Sequence, residues 1–548
     1  MRSRIPRRPA ASLRNSPRSR ACSSASVTAA AARRSSRADH QRAPLSRRLC
    51  SRLRRDRPHL FRRRGHGLLL GRTPPARASC SSPRSVIPTA SRSASRADGP
   101  LGARVKVTLL GHASVLVEAG PMRILIDPVL QDPFESGMVV SCPRREIRLE
   151  RLPPIDVVVV SHRHPDHFDL RSLDRLPRAC QVLYPQDPLI AYALGALGFA
   201  HVTPMTPGQP MPAEHAELYP TRSENRTVRE CGVLVRSADG VFWDQIDTEL
   251  SADTIADVRR RFGGVDLFFA MYASQNFEFF DSLSSEFPAE THRRNLETAL
   301  AVRPSLLVPA SAGFRFVGEH AWLNRFLFPV SRERFVDDLA RLDPALRVAL
   351  LDPGDAVQLR AGEPAVERAA SPFVTTVEHD TDAIRFDPTA EIPPLRDPNP
   401  AGWSPDAMCE AVRGFLEHEL LPYCVRAVSD PASLPACYRR ERVRYELEVV
   451  LPDESRVWTL DLRAEPPELR EGRDPLANVS HRITASALAG WIERRLSWFT
   501  VRAWSRRFST LPLELPDLLM HFLVNEAPDS ADSAKRRLDR EIAELRGG

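Results

Sequence analysis

The chain has 548 residues with nine scattered cysteines and no CxxC pair, which argues against a disulfide framework or a cysteine-rich zinc site. This length allows two or three domains. The net charge of +8 does not indicate nucleic-acid binding, because residues 1–100 alone hold 25 Arg, three Asp and no Lys or Glu. That segment has a surplus of 22 positive charges, so the rest of the chain carries a net charge of −14.

Residues 1–103 are rich in Arg, Ser, Ala and Pro without hydrophobic periodicity, which predicts a disordered extension. An organellar transit peptide and an RNA-binding arm are two interpretations. The third, which the near absence of Lys favours, is a tract translated from an over-extended start in GC-rich DNA. No run of eighteen apolar residues occurs, so we expect no transmembrane helix and a cytoplasmic protein.

Residues 155–170 carry the strongest signal in the chain. The β-branched run 157–160 predicts a strand buried on both faces, and four polar side chains follow within six positions, namely His162, His164, Asp166 and His167. In a tight loop the first two imidazoles can bind one cation, while the other two side chains face a second position. Imidazole and carboxylate ligands suit zinc, iron or manganese. The alternative is a His-rich surface turn, but such a turn does not require these residue types at this spacing.

The segment SHRHPDHFD at 161–169 resembles the metal-binding signature of the metallo-β-lactamase fold superfamily. Residues 107–117 and 123–128 resemble its opening hairpin. Their GHAS and LIDP segments are similar to those of the branch that holds ascorbate-phosphate lactonase and N-acylphosphatidylethanolamine phospholipase D. The resemblance covers about residues 104–360. It implies an α/β fold, the αββα sandwich, for a domain at 104–362, with Asp127 and His112 supporting the signature loop by hydrogen bonds.

The resemblance also implies that Asp247 supplies a carboxylate bridging two metal ions. The alternative is that Asp247 caps the helix expected over 252–262. Two family histidines are missing, and Glu224 and Ser311 stand near the expected positions as substitute ligands. Three outcomes stay open: one metal bound by Asp166, His167 and Asp247, a rearranged dinuclear site, or no metal.

The Pro- and Asp-rich segment 363–402 predicts a linker, followed by a smaller α+β module of unknown function at 403–548. Alternating apolar and polar residues at 443–451 and 457–462 predict a hairpin. Residues 483–504 predict an amphipathic helical stretch, broken near Ser497. The pattern of this stretch faintly resembles sterol-carrier-like domains, but we expect its apolar face to pack against the first domain.

These features predict a metal-dependent hydrolase in which metal-bound hydroxide attacks an ester, amide or phosphodiester, with Asp166 as ligand or base. We expect one or two zinc ions, with manganese or iron as alternatives, and a small-molecule or lipid-like substrate rather than nucleic acid. Residues 309–316 and 352–355 resemble the β-lactamase-fold part of CMP-N-acetylneuraminate hydroxylases. An iron-dependent oxygenase is therefore an alternative function. A non-catalytic binding module with a degraded site is the third possibility.

Overall fold

The structure is a computed structural model that describes residues 105–511, 515–526 and 530–547. The predicted extension at 1–103 therefore lies outside the described residues. No helix in the described ranges is long and apolar enough to cross a lipid bilayer.

The strands of the described ranges are β1 (Val105–Gly111), β2 (Ser114–Ala119), β3 (Met122–Ile126), β4 (Val139–Ser141), β5 (Arg144–Ile147), β6 (Val157–Val159), β7 (Gln181–Pro185), β8 (His201–Met205), β9 (Met211–Pro212), β10 (Glu217–Thr221), β11 (Gly232–Ser237), β12 (Gly240–Asp244), β13 (Leu267–Met271), β14 (Leu306–Ala310), β15 (Phe314–Phe316), β16 (Ala356–Arg360), β17 (Glu363–Glu367), β18 (Val374–Glu378), β19 (Arg444–Val450), β20 (Ser455–Asp461), β21 (Glu468–Glu471), β22 (Val479–Thr484) and β23 (Ser505–Ser509).

The α-helices of the same ranges are α1 (Leu170–Asp174), α2 (Pro188–Leu197), α3 (Ala252–Phe262), α4 (Phe279–Ser282), α5 (Ala289–Val302), α6 (Asn324–Leu327), α7 (Arg332–Leu342), α8 (Pro405–Phe415), α9 (Leu421–Ala427), α10 (Leu434–Arg440), α11 (Ala485–Ile492), α12 (Trp498–Ala503), α13 (Leu518–His521) and α14 (Ser530–Leu545).

Two sheets form the first part of the molecule. The first has the order β17-β16-β1-β2-β3-β6-β7-β8 and the second the order β14-β13-β12-β11-β10-β9. Their inner faces share one apolar core, because side chains such as Val107 and Val159 of the first sheet pack with Val233 and Leu267 of the second. This face-to-face packing accounts for the continuous apolar runs in the central strands.

Helices cover both outer faces of the sandwich. On the first sheet, a second core joins β6 and β7 to α1, α2 and α14, and on the second sheet a third core joins β12 and β13 to α3, α5 and α7. The layers are therefore helix, sheet, sheet, helix, as predicted for the αββα sandwich. Strands β3, β6, β7 and β8 run parallel, so the carboxyl end of β6 opens at one edge of the sandwich.

A separate five-stranded sheet, β21-β20-β19-β22-β23, forms the C-terminal module with the helices around it. Its core contains Leu447 and Trp458 from the predicted hairpin together with Leu488 of α11 and Phe522 after α13. Strands β19 and β20 pair in antiparallel register as the sequence predicts. The α+β character of this module is thus confirmed.

Two expectations differ from the structure. Residues 483–484 end β22, so the predicted helical stretch begins only at Ala485, while Ser497 does break it by capping α12. The segment predicted as a linker holds β17, which pairs with β16 at the edge of the first sheet, and β18, which pairs with β5. Pairing across the sequence overrides the local Pro- and Asp-rich composition there.

Candidate metal centre

The signature loop, residues 161–169, begins where β6 ends between two parallel neighbours. The backbone N–H of Asp127, after β3, donates to the carbonyl of Val159 at 2.8 Å, and the N–H of Val160 donates to Leu183 of β7 at 2.9 Å. Beyond this point the loop turns back on itself, because the N–H groups of His167 and Phe168 both donate to the carbonyl of His164. This turn brings the polar side chains of the loop together.

The imidazoles and carboxylates of the loop meet Asp247 from the second sheet. Nε2 of His162 lies 2.9 Å from Nδ1 of His164 and 3.9 Å from Oδ2 of Asp247. The same Oδ2 atom lies 3.3 Å from Nε2 of His167, and Oδ2 of Asp166 lies 3.7 Å from that nitrogen. One oxygen of Asp247 therefore faces two imidazoles at once, which is where a bridging carboxylate would sit.

A tight turn after β12 holds Asp247 in this place. The N–H and hydroxyl groups of Thr248 both donate to the carbonyl of Gln245, and the side-chain amide of Gln245 donates to the carbonyl of Thr248. The helix that follows is capped by Ser251, whose hydroxyl accepts from the N–H of Thr254 at 3.2 Å. Ser251, and not Asp247, therefore caps this helix.

Asp127 fixes the orientation of His167 from behind. Its Oδ2 accepts from Nδ1 of His167 at 2.8 Å and from the hydroxyl of Ser161 at 2.6 Å, and its Oδ1 accepts from the N–H of Ser161 at 2.7 Å. All three residues are fully buried. With the Nδ1 proton held in this way, Nε2 of His167 points into the cluster, as in carboxylate–histidine pairs behind metal ligands.

Burial and charge act in opposite directions on these groups. Burial, together with the neighbouring imidazoles of His167 and His164, holds the pKa of His162 well below its usual value. Burial also opposes protonation of His167, but the carboxylates of Asp247, Asp166 and Asp127 outweigh it and raise the pKa of His167. Burial would raise the pKa of Asp166, yet His167 and His112 hold it far below its usual range, so Asp166 is a carboxylate at neutral pH.

The donor set fits a divalent cation. Nε2 of His167 and Oδ1 of Asp247 are buried atoms without a hydrogen-bond partner among the described residues. Such orphaned polar atoms are costly, and a shared cation would satisfy both. Three groups of side chains could hold an ion in the described ranges, namely His162, His164 and Asp247, then Asp127, His162 and His167, and then His112, Asp166 and His167.

Access to the cluster is one-sided. The side chains of His162 and His167 are at most 1% exposed, whereas those of Asp166 and Asp247 are 28% and 26% exposed. A reacting molecule would therefore meet the carboxylate side of the cluster first, with the imidazoles behind it.

The two predicted substitute ligands do not join the cluster. Glu224 is exposed, with its backbone N–H donating to Glu249, and it belongs to none of the three candidate groups. Ser311 is buried after β14 in a left-handed conformation with φ of 72°. The third imidazole that the resemblance predicts beside His162 and His164 thus has no replacement from these two positions.

Glu230, which sequence analysis did not single out, lies near the cluster instead. It is buried just before β11. Its carboxyl group accepts from the hydroxyl of Ser223 at 2.5 Å and from the side-chain amide of Asn225 at 3.1 Å, and it is close enough to Asp247 to feel that carboxylate's charge. Burial, with a contribution from Asp247, raises the pKa of Glu230 to about 7. The only sequence signal was an acidic residue two positions before a buried strand.

Part of the chain is similar in sequence to known proteins. Residues 106–225 match the family model described as the Beta-lactamase superfamily domain. An uncharacterized protein of Mycobacterium tuberculosis is 39% identical over 101 residues, which are 18% of this chain and 26% of that protein. The N-acyl-phosphatidylethanolamine-hydrolyzing phospholipase D 1 of Caenorhabditis elegans is 40% identical over 73 residues, 13% of this chain and 20% of that protein. The match thus spans about a quarter of these curated relatives or less.

Among solved structures, a metallo hydrolase of Ignicoccus hospitalis is 17% identical with a TM-score of 0.33, covering 47% of this chain and 99% of that chain. The diiron β-hydroxylase CmlA of Streptomyces venezuelae is 19% identical with a TM-score of 0.34, covering 48% of this chain and 55% of that chain.

Proposed function

We propose that this protein is a metal-dependent hydrolase, and the match of residues 106–225 to the Beta-lactamase superfamily domain supports this proposal. The observation that carries the proposal is the position of Asp247, whose Oδ2 faces the Nε2 atoms of both His162 and His167. His162, His164 and Asp247 would hold one ion, and Asp166, His167 and Asp247 would hold a second. We propose zinc, with manganese or iron as alternatives given the mixed imidazole and carboxylate set.

A bound divalent ion would supply a water acidic enough to attack at neutral pH and would polarise the attacked centre. The protein's own groups would do the rest. Asp127 keeps His167 in one tautomer, and the ionised Asp166 at the open side of the cluster can accept a proton from the attacking water. The substrate would be a small or lipid-like ester, amide or phosphodiester, and the lipid-hydrolysing relative supports that class.

Metal analysis of the purified full chain tests this proposal. We expect about two equivalents of zinc, manganese or iron in the wild type and a loss of at least half in the His162→Ala/His164→Ala variant. The exposed His201→Ala variant is the matched control and should keep its metal. If the wild type holds no metal even after reconstitution, the hydrolase proposal is overturned.

An iron-dependent oxygenase is the second candidate function. The missing third imidazole beside His162 and His164, and the buried Glu230 nearby, favour a carboxylate-rich site that suits iron. Iron as the retained metal, with oxygen consumption that the His162→Ala/His164→Ala variant loses, would replace the hydrolase proposal by this one. Zinc or manganese with hydrolysis of a model ester or phosphodiester would exclude it.

A further inference from the structure

A second concave site lies beside the signature loop. It is a cavity of about 250 Å³ whose walls include Arg163 and Phe168 of the loop, but none of the five proposed metal ligands. The remaining walls come from distant parts of the chain, namely residues 135–137 after β3, Ser497 before α12 and the inner face of α14. Two segments beyond residue 490 thus complete a cavity that the sandwich alone would leave open.

Arginines slightly outnumber carboxyl groups in the polar lining of this cavity. Its arginines are Arg163, Arg171, Arg495, Arg537 and Arg540, and its carboxyl groups are Glu135, Asp169, Glu541 and Glu544. Two of the four carboxyl groups are already engaged inside the fold. Asp169 caps α1 by accepting from the N–H and hydroxyl of Ser172, and Glu135 accepts from the hydroxyl of Ser497 at 2.6 Å.

Three of the arginines keep donors to spare. Arg163 and Arg537 approach their carboxylate partners only to 3.7 and 3.4 Å, longer than the 2.7–2.9 Å of a strong charge-assisted bond. Arg540 forms no ion pair with any residue that the structure describes. Each guanidinium carries five N–H donors and no acceptor, so these three side chains have donors available for an additional acceptor.

We propose that this cavity binds the phosphate group of a small phosphorylated molecule. A carboxylate has two oxygens, which one arginine can satisfy, whereas guanidinium groups from a loop and a separate helix match a tetrahedral group with three or four acceptor oxygens. The volume lies just below the usual range for drug-sized ligands, roughly 300–1,000 Å³, and suits a compact molecule. A soluble phosphate ester and a phospholipid headgroup share this chemistry.

The position of the cavity gives such a ligand a direct contact with the signature loop. Arg163 stands between His162 and His164 in the sequence, so a phosphate held by Arg163 touches the segment that carries both imidazoles. The inference goes beyond the proposed hydrolase function and does not depend on it, because the arginine lining needs no metal.

Calorimetric titration with inorganic phosphate tests the proposal on the full chain. The protein is first stripped of metal by a chelator, so that phosphate cannot bind at the metal centre and failure of the hydrolase proposal does not affect the result. We expect saturable binding with a dissociation constant near or below about 1 mM. In Arg540→Glu and in Arg537→Ala/Arg540→Ala the constant should rise by at least about tenfold.

Arg536→Ala is the matched control, because Arg536 is exposed on the same helix and does not line the cavity. It should bind phosphate as the wild type does, and thermal unfolding confirms that each variant is folded. Absence of saturable binding, equal binding by all variants, or binding of acetate as tight as that of phosphate would overturn the proposal.

Two further probes identify the source of the phosphate. Binding of glycerol 3-phosphate that Arg540→Glu weakens points to a soluble phosphate ester. Retention on phosphatidylcholine vesicles containing phosphatidic acid, but not on phosphatidylcholine alone, and lost in Arg540→Glu, points to a lipid headgroup. If neither probe depends on Arg540, the cavity is not a site for phosphorylated molecules.

Discussion

At the scale of single residues, the buried carboxylate of Asp127 orients side chains of the candidate metal centre. It accepts hydrogen bonds from both the backbone and side chain of Ser161 and from His167. We predict that Asp127→Asn lowers metal affinity by about 10–100-fold, because the amide cannot accept from all three donors. Competition with a chromogenic chelator measures the effect.

Asp156→Asn is the control for that experiment, since Asp156 is exposed before β6 and its carboxylate accepts a hydrogen bond from the backbone N–H of Arg123, away from the cluster. An unchanged affinity in Asp127→Asn would show that Ser161 and the loop backbone orient His167 without the carboxylate.

A second buried carboxylate, Asp517, contacts basic side chains in the C-terminal module. Its Oδ2 lies 2.8 Å from Nδ1 of His481 and 3.4 Å from Nε of Arg507. Burial would raise its pKa, but His481 and Arg507 lower it to about 2. The folded-state pKa is below the unfolded value, so this stabilisation, about 2 kcal/mol, is fully present above about pH 4 and is lost as the pH falls through about 2.

We therefore predict that Asp517→Asn lowers the free energy of unfolding by at least about 2 kcal/mol near neutral pH, as expected when one partner of a buried ion pair is removed. The deficit should shrink as the pH falls from about 4 toward 2. Urea unfolding across this range measures it, and a deficit that stays constant with pH would contradict the electrostatic cause.

At the scale of elements, the end of β1 requires a residue without a side chain. Gly111 has φ of +114°, and a Cβ there would lie 2.6 Å from Oγ of Ser141 and 2.9 Å from Cδ of Arg145. Arg145 cannot move freely, because it is buried and donates to the carbonyls of Leu110, Gly111 and Val129. This crowding joins the first hairpin to the strands β4 and β5.

We predict that Gly111→Ala destabilises the protein by about 2–4 kcal/mol, through backbone strain and displacement of Arg145. Gly195→Ala is the control, since Gly195 is exposed within α2 and has open space around it. That change should be neutral or stabilise by up to about 1 kcal/mol. Equal effects in chemical unfolding would contradict the crowding.

At the scale of the whole molecule, Glu135 links the sandwich to the C-terminal module. This buried carboxyl group accepts from Ser497 across 362 positions of sequence. Burial raises its pKa to about 7, above the unfolded value of about 4.3. The folded state therefore holds the proton more tightly, and the resulting stability is fully present below about pH 4.3 and is lost as the pH rises through about 7.

We predict that Glu135→Gln, which keeps an acceptor oxygen for Ser497 but cannot ionise, is more stable than the wild type at about pH 8 by about 1–3 kcal/mol. The two proteins should have similar free energies of unfolding near pH 4.5. Thermal or urea unfolding at both values measures the difference. A variant less stable than the wild type at pH 8 would show that Glu135 is buried as a paired carboxylate.

Features formed by neighbouring residues were predictable from the sequence, and features formed by distant ones were not. The strand before the signature loop, the cluster of His162, His164, Asp166 and His167, and Asp247 after its strand were all local patterns. The partnership of Glu135 with Ser497 and the arginine-lined cavity depend on contacts between segments hundreds of positions apart. The same reason explains the strands found in the predicted linker, since edge pairing leaves little mark on composition.

The last described helix, α14, has a consequence for how the chain is made. Its Leu538 and Ile542 belong to the core that also contains α1 and α2, so it completes the sandwich rather than the module that precedes it. On the ribosome, this apolar surface stays uncovered while some 330 further residues of the sequence are synthesised. The nascent sandwich therefore exposes this apolar surface until α14 is made, and such exposure favours aggregation.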